Sequence, residues 1–274
     1  MYNGACKVTV EDPPGTLRDQ GSGFLFRFQI EEADLCYGLL TCHHVVARAQ
    51  QDERSIPDPT KIFIEFKSEF GYKERLSDIQ KENAQPLISA GNDIYFQELS
   101  EEFRIEMETS KIGFYESLET ILDQHVWIAQ YPNNGDRHIA AAKMECQAWL
   151  EKRRHSVSTR PGSSGAPLLQ LHNGEMKVIG MHQGALIEDQ PQNQASRITA
   201  IIKILYDILL GLSVKIVPEE SDTRVGKFIC CDHENPELIL TNILFKCFAM
   251  FVKSQQRYPE ASKTINMKAQ ISDR

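Results

Sequence analysis

The sequence predicts an all-β chain with a helical C-terminal part. Three observations carry this. Short runs alternate apolar and polar residues or are continuously apolar, as strands do. Clusters of Gly, Pro and Asn separate them. Helical spacing first appears near residue 201. Many short strands with such turns suit barrels or sandwiches.

The elements follow in order. Residues 6–10 alternate and are β-rich. Asp12-Pro13-Pro14-Gly15 is a turn. Residues 24–30 read Phe-Leu-Phe-Arg-Phe-Gln-Ile, a second strand, and residues 35–41 a third. Glu31-Glu32-Ala33-Asp34 between them is a hairpin connection. Residues 62–66 and 93–99 are further strands. Residues 101–109 are charged and irregular, and read as a linker between two β halves. Residues 126–129, 139–149, 167–171, 177–182 and 197–201 form the second half, and residues 201–210 a closing helix. Lys152-Arg153-Arg154-His155 reads as a solvated loop. Pro236, after Asn235, opens a helix to Lys253 that is apolar nearly all round. It reads as a packing helix or as a surface for a partner or a second copy. The expected division is one domain over 1–211, with halves at about 1–105 and 120–200 and the helix at 201–211, then an extension over 212–274.

Composition excludes several classes. The chain has 274 residues, 41% hydrophobic and 25% charged, which suits one large globular domain or two small ones. No apolar run reaches the ~18 residues of a membrane span. A net charge of −8 argues against nucleic acid as a partner. Seven cysteines lack disulfide-like spacing, and no secretory signal opens the sequence, so an intracellular, cytoplasmic or nuclear, setting is expected. Cys230-Cys231-Asp232-His233 has no second ligand pair at metal-like spacing. Neither metal nor cofactor is expected.

Three stretches carry chemistry. Thr41-Cys42-His43-His44-Val45 comes first, Asn92-Asp93-Ile94 second, and Arg160-Pro161-Gly162-Ser163-Ser164-Gly165-Ala166-Pro167 third. A serine hydroxyl is a poor nucleophile near neutral pH. It needs an adjacent imidazole base, and the base needs a carboxylate to fix its tautomer. Gly162 and Gly165 allow a tight exposed turn at the serine.

Taken in this order, the stretches resemble the trypsin-like, chymotrypsin-fold serine peptidases, closest to the disulfide-free branch that includes the Deg/HtrA enzymes. Residues 162–167 resemble Gly-x-Ser-Gly-Gly/Ala-Pro, which implies Ser164 as nucleophile. Residues 41–44 resemble Thr-Ala-Ala-His, which implies His44 as base, although His43 is a second candidate beside it. Residues 92–96 resemble Asn-Asp-Ile-Ala-Leu, which implies Asp93 as the orienting acid. Gly21-Ser22-Gly23-Phe24, residues 126–132 and residues 177–184 look like an early strand, the opening of a second barrel and a pocket wall. The likeness covers about residues 5 to 211. It implies two antiparallel six-stranded barrels with a cleft between them, and a serine endopeptidase acting through an acyl-enzyme on proteins or peptides. It also implies an oxyanion hole from backbone N–H groups at Gly162, Ser163 and Ser164, with Ser158, Thr159, His182 and Gly184 lining the specificity pocket. His182 resembles the pocket histidine of glutamate- and glutamine-selective members. It implies Gln or Glu before the cut, with Glu gaining as pH falls through the histidine range. A silent or latent fold used as a binding module is the rival expectation.

Overall fold

The computed structural model describes residues 4–29, 35–47, 56–67, 72–118, 125–143, 152–185, 193–209 and 211. It divides the chain into Met1–Ile208 and Leu209–Arg274. The apolar segment at 236–253 lies outside the described residues.

The elements run β1 (Ala5–Glu11), β2 (Leu17–Phe28), β3 (Cys36–Thr41), α1 (His43–Ala47), β4 (Ile62–Phe66), β5 (Tyr72–Arg75), α2 (Leu76–Ile79), β6 (Leu87–Ser89), β7 (Ile94–Glu98), α3 (Glu101–Thr109), β8 (His125–Gln130), β9 (His138–Lys143), β10 (Lys152–His155), β11 (Pro167–His172), β12 (Glu175–Ala185), β13 (Asn193–Arg197) and α4 (Ile198–Leu209). Two antiparallel sheets result. The first has seven strands in the order β5-β4-β1-β2-β3-β7-β6, and the second six in the order β10-β13-β12-β11-β8-β9. This is a chymotrypsin-like all-β fold. Among the described residues no ladder joins the edge strands of either sheet into a closed ring. The first sheet has seven strands against the expected six, two of them the short β5 and β6.

The alternation in the sequence becomes burial. Ile62, Ile64 and Phe66 of β4 point into the core. β2 is buried on both faces from Gly21 to Phe26. Beyond the end of β1, the edge of β2 is taken by the stretch that links the sheets, where Tyr115 donates its N–H to the Leu25 carbonyl and accepts from the Arg27 N–H, each at 2.9 Å. The same stretch then bonds the second sheet, where the Val178 N–H reaches the Glu116 carbonyl at 2.8 Å. One core therefore runs from Phe24, Phe26 and Phe96 to Val178, Met181 and Ile201.

Three expectations need correction. Residues 101–109 are helical rather than irregular. The Ser100 hydroxyl caps the Phe103 N–H at 3.2 Å, two glutamates occupy the first turn, and Phe103 and Met107, four apart, are buried together. Residues 152–155 are not a solvated loop. They pair with β13, which draws His155 into the interior. Arg197 ends β13, and the helix begins at Ile198, inside the stretch read as a strand.

Candidate active site

The first sheet holds the imidazole and the carboxylate. β3 and β7 are neighbours, with Thr41 opposite Tyr95, so the segments beyond their ends come together. His44 is the second residue of α1, directly after β3. Asp93 precedes β7 in the left-handed region at φ 57°, a conformation Asp tolerates better than most residues, which turns its side chain back toward α1. Its Oδ1 accepts the His44 backbone N–H at 2.9 Å, and its Oδ2 stands 2.8 Å from His44 Nδ1. A carboxylate can only accept, so Nδ1 carries the ring proton and Nε2 is left as the basic nitrogen. His43 is buried instead, at 5% exposure. Cys42 lies beneath the pair, fully buried, with its S–H donating to the His182 carbonyl at 3.3 Å. Burial and then the Asp93 charge push this thiol well above its ordinary pKa. Cys42, His44 and Asp93 bring one sulfur, one nitrogen and one oxygen within 4.8 Å of one another.

The second sheet holds the serine. Residues 160–166 make two successive tight turns. Ser163 N–H closes the first onto the Arg160 carbonyl, and Ala166 N–H closes the second onto the Ser163 carbonyl, each at 3.0 Å. Each turn has a glycine at positive φ in its third place, Gly162 at 92° and Gly165 at 87°. Neither can carry a side chain. A Cβ on Gly165 would stand 2.0 Å from the Ser22 carbonyl oxygen, and one on Gly162 2.7 Å from that of Tyr131.

The loop is held from outside. The Pro161 carbonyl accepts the Asn133 N–H at 2.7 Å. In a planar trans peptide the N–H points opposite to the C=O, so the Gly162 N–H faces away from Asn133. Among the described residues neither the Gly162 nor the Ser164 N–H donates to a protein acceptor, whereas Ser163 has spent its own on the turn. Ser22 of β2 is the clamp. Its N–H donates to the Ser164 carbonyl at 2.7 Å and its hydroxyl to the Gly162 carbonyl at 2.8 Å. That hydroxyl also accepts the Tyr131 N–H at 2.9 Å. The Ser164 hydroxyl itself is directed at the Gln183 carbonyl, 3.3 Å away, and not at His44.

Around the expected pocket, Ser158 is exposed and its carbonyl accepts from Gln130 Nε2 at 2.9 Å. The Thr159 hydroxyl donates to Asn193 Oδ1 at 2.8 Å. Gly184 sits at an irregularity in the β12–β13 pairing. His182 is only 2% exposed, and its Nδ1 lies 3.2 Å from Nε2 of His155, itself buried. Burial, then the neighbouring His155, pushes His182 down to about 3, and burial pushes His155 down to about 4. Both rings are neutral across the usual histidine range, so the expected rise in glutamate preference within that range loses its charged form. The sequence reading missed His155, because a run of Lys and Arg before it reads as surface. It also missed the clamp role of Ser22, for which the segment Gly21-Ser22-Gly23 was the available signal. A cavity of about 280 Å³ lies away from these groups and is lined by Arg27, Tyr115, Glu116, Met176 and Lys177 among others.

The family profile of the trypsin-like peptidase domain matches residues 21–181, more than half of the chain. The chain belongs to the trypsin-like peptidase family. Solved structures agree on the fold. A serine endoprotease from Yersinia pestis superposes with a TM-score of 0.50 at 13% identity, over 75% of this chain and 64% of that one. This chain therefore spans just under two thirds of that protein. The Rv3671c protease from M. tuberculosis in its active form gives 0.52 at 15% identity, over 76% and 81%. Its inactive form gives 0.50 at 14% identity, over 76% and 89%. No curated protein matches the sequence. Among the described residues no helix is long and apolar enough to cross a membrane.

Proposed function

We propose that the protein is a serine endopeptidase using Ser164 as nucleophile, His44 as general base and Asp93 as the acid that orients it. The observation that carries this is the two-point grip of Asp93 on the His44 backbone N–H and Nδ1, at 2.9 and 2.8 Å, beside a glycine-bounded serine turn. In this reading Ser164 rotates from the Gln183 carbonyl to His44 when substrate binds, since catalytic hydrogen bonds are often loose without ligand. Its oxygen attacks the peptide carbonyl, the proton passes to His44 Nε2 and then to the leaving amine, and water releases the acyl group. The Gly162 and Ser164 N–H groups receive the oxyanion, and one such donor is worth about 3 to 4 kcal/mol. Ser163 contributes through the turn and not as a donor.

For the residue before the cut, the reading is Gln or Glu in a pocket bounded by Ser158, Thr159, His182 and Gly184, with the carboxamide favoured near neutral pH. A neutral imidazole offers one donor and no charge, which matches an amide better than a desolvated carboxylate. An intracellular setting is part of the proposal, supported by the buried, unbridged thiols of Cys6 and Cys42. Association through residues 236–253 remains a proposal resting on their apolar pattern. A latent or silent binding module is the rival, favoured by the Ser164 hydroxyl facing Gln183. Fluorophosphonate labelling of the purified chain separates the two. Labelling that requires Ser164 and His44 supports the peptidase, and an unreactive Ser164 in folded protein supports the rival.

A further inference from the structure

The thiol under the catalytic pair has no part in the mechanism above. In the motif this segment resembles, Thr-Ala-Ala-His, its place is taken by alanine. Cys42 is fully buried, whereas the His44 and Asp93 side chains are 40% and 25% exposed. The three donor atoms thus form a corner closed beneath and open above. We propose that Cys42, His44 and Asp93 form an inhibitory site for a zinc-type divalent cation, which shuts off proteolysis reversibly. The inhibition rests on the proposed catalytic role of His44; the binding does not.

The donor set suits zinc. Thiolate, imidazole and carboxylate are its three protein ligands, at about 2.3, 2.0–2.1 and 2.0–2.2 Å, and a tetrahedron of such bonds sets its donors about 3.3–3.6 Å apart. The three atoms here already lie within 4.8 Å of one another. His44 Nδ1 and Asp93 Oδ2, 2.8 Å apart, must open by about half an ångström to reach that spacing. Asp93 keeps its grip on the His44 backbone through Oδ1 while Oδ2 binds metal. The open side leaves the fourth position to water. The His182 carbonyl, which would lose the Cys42 S–H, keeps the Gly165 N–H at 2.8 Å. No buried acceptor is stranded.

The charges and protons balance. Binding releases one proton, from the Cys42 thiol, to solvent. Thiolate and carboxylate together then offset the two charges of the cation. The His44 ring stays neutral, but its proton moves from Nδ1 to Nε2 as Nδ1 takes the metal. A protonated Nε2 cannot accept the proton of Ser164. The cation therefore disables the base without touching the serine or the oxyanion loop.

The experiment has two arms. In the first, chelator-treated full-length Ser164→Ala is titrated with cobalt(II) chloride, beside Ser164→Ala carrying Cys42→Ala. The first protein should show one more equivalent of tetrahedral cobalt with a thiolate-to-cobalt absorption band, and the second should lack it. The comparison subtracts any cobalt held by other cysteines. Identical spectra would overturn the proposal. In the second arm zinc chloride is titrated against hydrolysis. Cys42→Ala should hydrolyse substrate as the wild type does, and its inhibition constant should rise about tenfold or more. Cys42→Ser keeps the volume and should behave likewise if the alanine variant folds poorly. Equal zinc sensitivity in wild type and both variants would also overturn it. The cobalt arm needs no proteolysis. An inert chain that still shows the band sinks the peptidase reading and spares the site, and an active chain without the band does the reverse.

Discussion

Ser22→Ala tests how the nucleophile loop is held. The hydroxyl is fully buried and is shared between the Gly162 carbonyl at 2.8 Å and the Tyr131 N–H at 2.9 Å. Alanine removes both bonds and puts nothing in their place. The Tyr131 N–H is left without that acceptor, and Gly162 is left without that donor. A stranded buried polar group costs about 1–3 kcal/mol. Two of them, partly relieved by relaxation, give about 2–4 kcal/mol. For a folded unit of this size, 1 kcal/mol moves the melting midpoint by about 2–4 °C. The midpoint should therefore fall by about 4–16 °C, with about 9 °C at the centre of those ranges. Activity should fall separately, because the Gly162 carbonyl is next in the chain to the proposed oxyanion donors. A misplaced donor costs up to the 10²–10³-fold in kcat seen when one is removed, and about tenfold is expected here because the Pro161 carbonyl remains pinned. The assay is thermal unfolding together with kcat and KM on one peptide, below the variant's melting range. Ser22→Thr keeps the hydroxyl and should recover most of the lost kcat. If Ser22→Ala leaves both the midpoint and kcat at wild-type values, the hydroxyl is not the clamp, and the argument from the two bonds fails.

Further outcomes are expected. Ser164→Ala should abolish fluorophosphonate labelling and lower hydrolysis by about a millionfold, read by active-site titration and single-turnover rates. His44→Ala should be nearly as damaging and His43→Ala far less so. Asp93→Asn should lower kcat by about 10⁴-fold through the wrong tautomer, with the fold intact by circular dichroism. Gly165→Ala should prevent folding or shift the loop, since its Cβ would meet the Ser22 carbonyl at 2.0 Å with φ at 87°; soluble yield and unfolding midpoint report it. His155 and His182 are held down to about 4 and about 3, so the unfolded chain binds protons first, near pH 6.5, as the solution is acidified. The stability they confer is complete above pH 6.5 and is lost as pH falls from there toward 4, by up to about 1.4 kcal/mol per pH unit for each ring. Denaturant unfolding at pH 7 and pH 5 should show a smaller difference in His155→Phe than in the wild type.

The sequence revealed the parts whose local pattern and final environment agree. β1, β2, β4 and β7 alternate or run apolar, and they become core strands. The three chemical stretches carried their glycines and their histidine openly. What stayed hidden depends on partners far along the chain. Lys152-Arg153-Arg154-His155 has no apolar signal, and only its ladder with β13 makes it a strand. β5 and β6 have four and three residues, too short for a period to register. The helix at 101–109 was legible, since Ser100-Glu101-Glu102-Phe103 is a capped start, but its charge masked the buried pair at Phe103 and Met107. At the site, the adjacency of His44 and Asp93 follows from neighbouring strands, which no local pattern gives. His155 against His182 and Ser22 against Gly162 are separated by 27 and 140 residues. Spacing alone could not have joined them.

The clamp on the nucleophile loop has a consequence for biosynthesis. Ser22 lies in the first sheet and His44 and Asp93 in segments joined to its strands, all made before the second sheet, to which the Ser164 turn is joined. A nascent chain with only its first sheet folded has a base and an acid but nothing to activate. The second sheet alone would carry a serine whose turn lacks the Ser22 bonds that shape it. On the proposed mechanism neither half-folded form can cleave a neighbouring chain, and completing the second sheet is what brings the serine loop to the base.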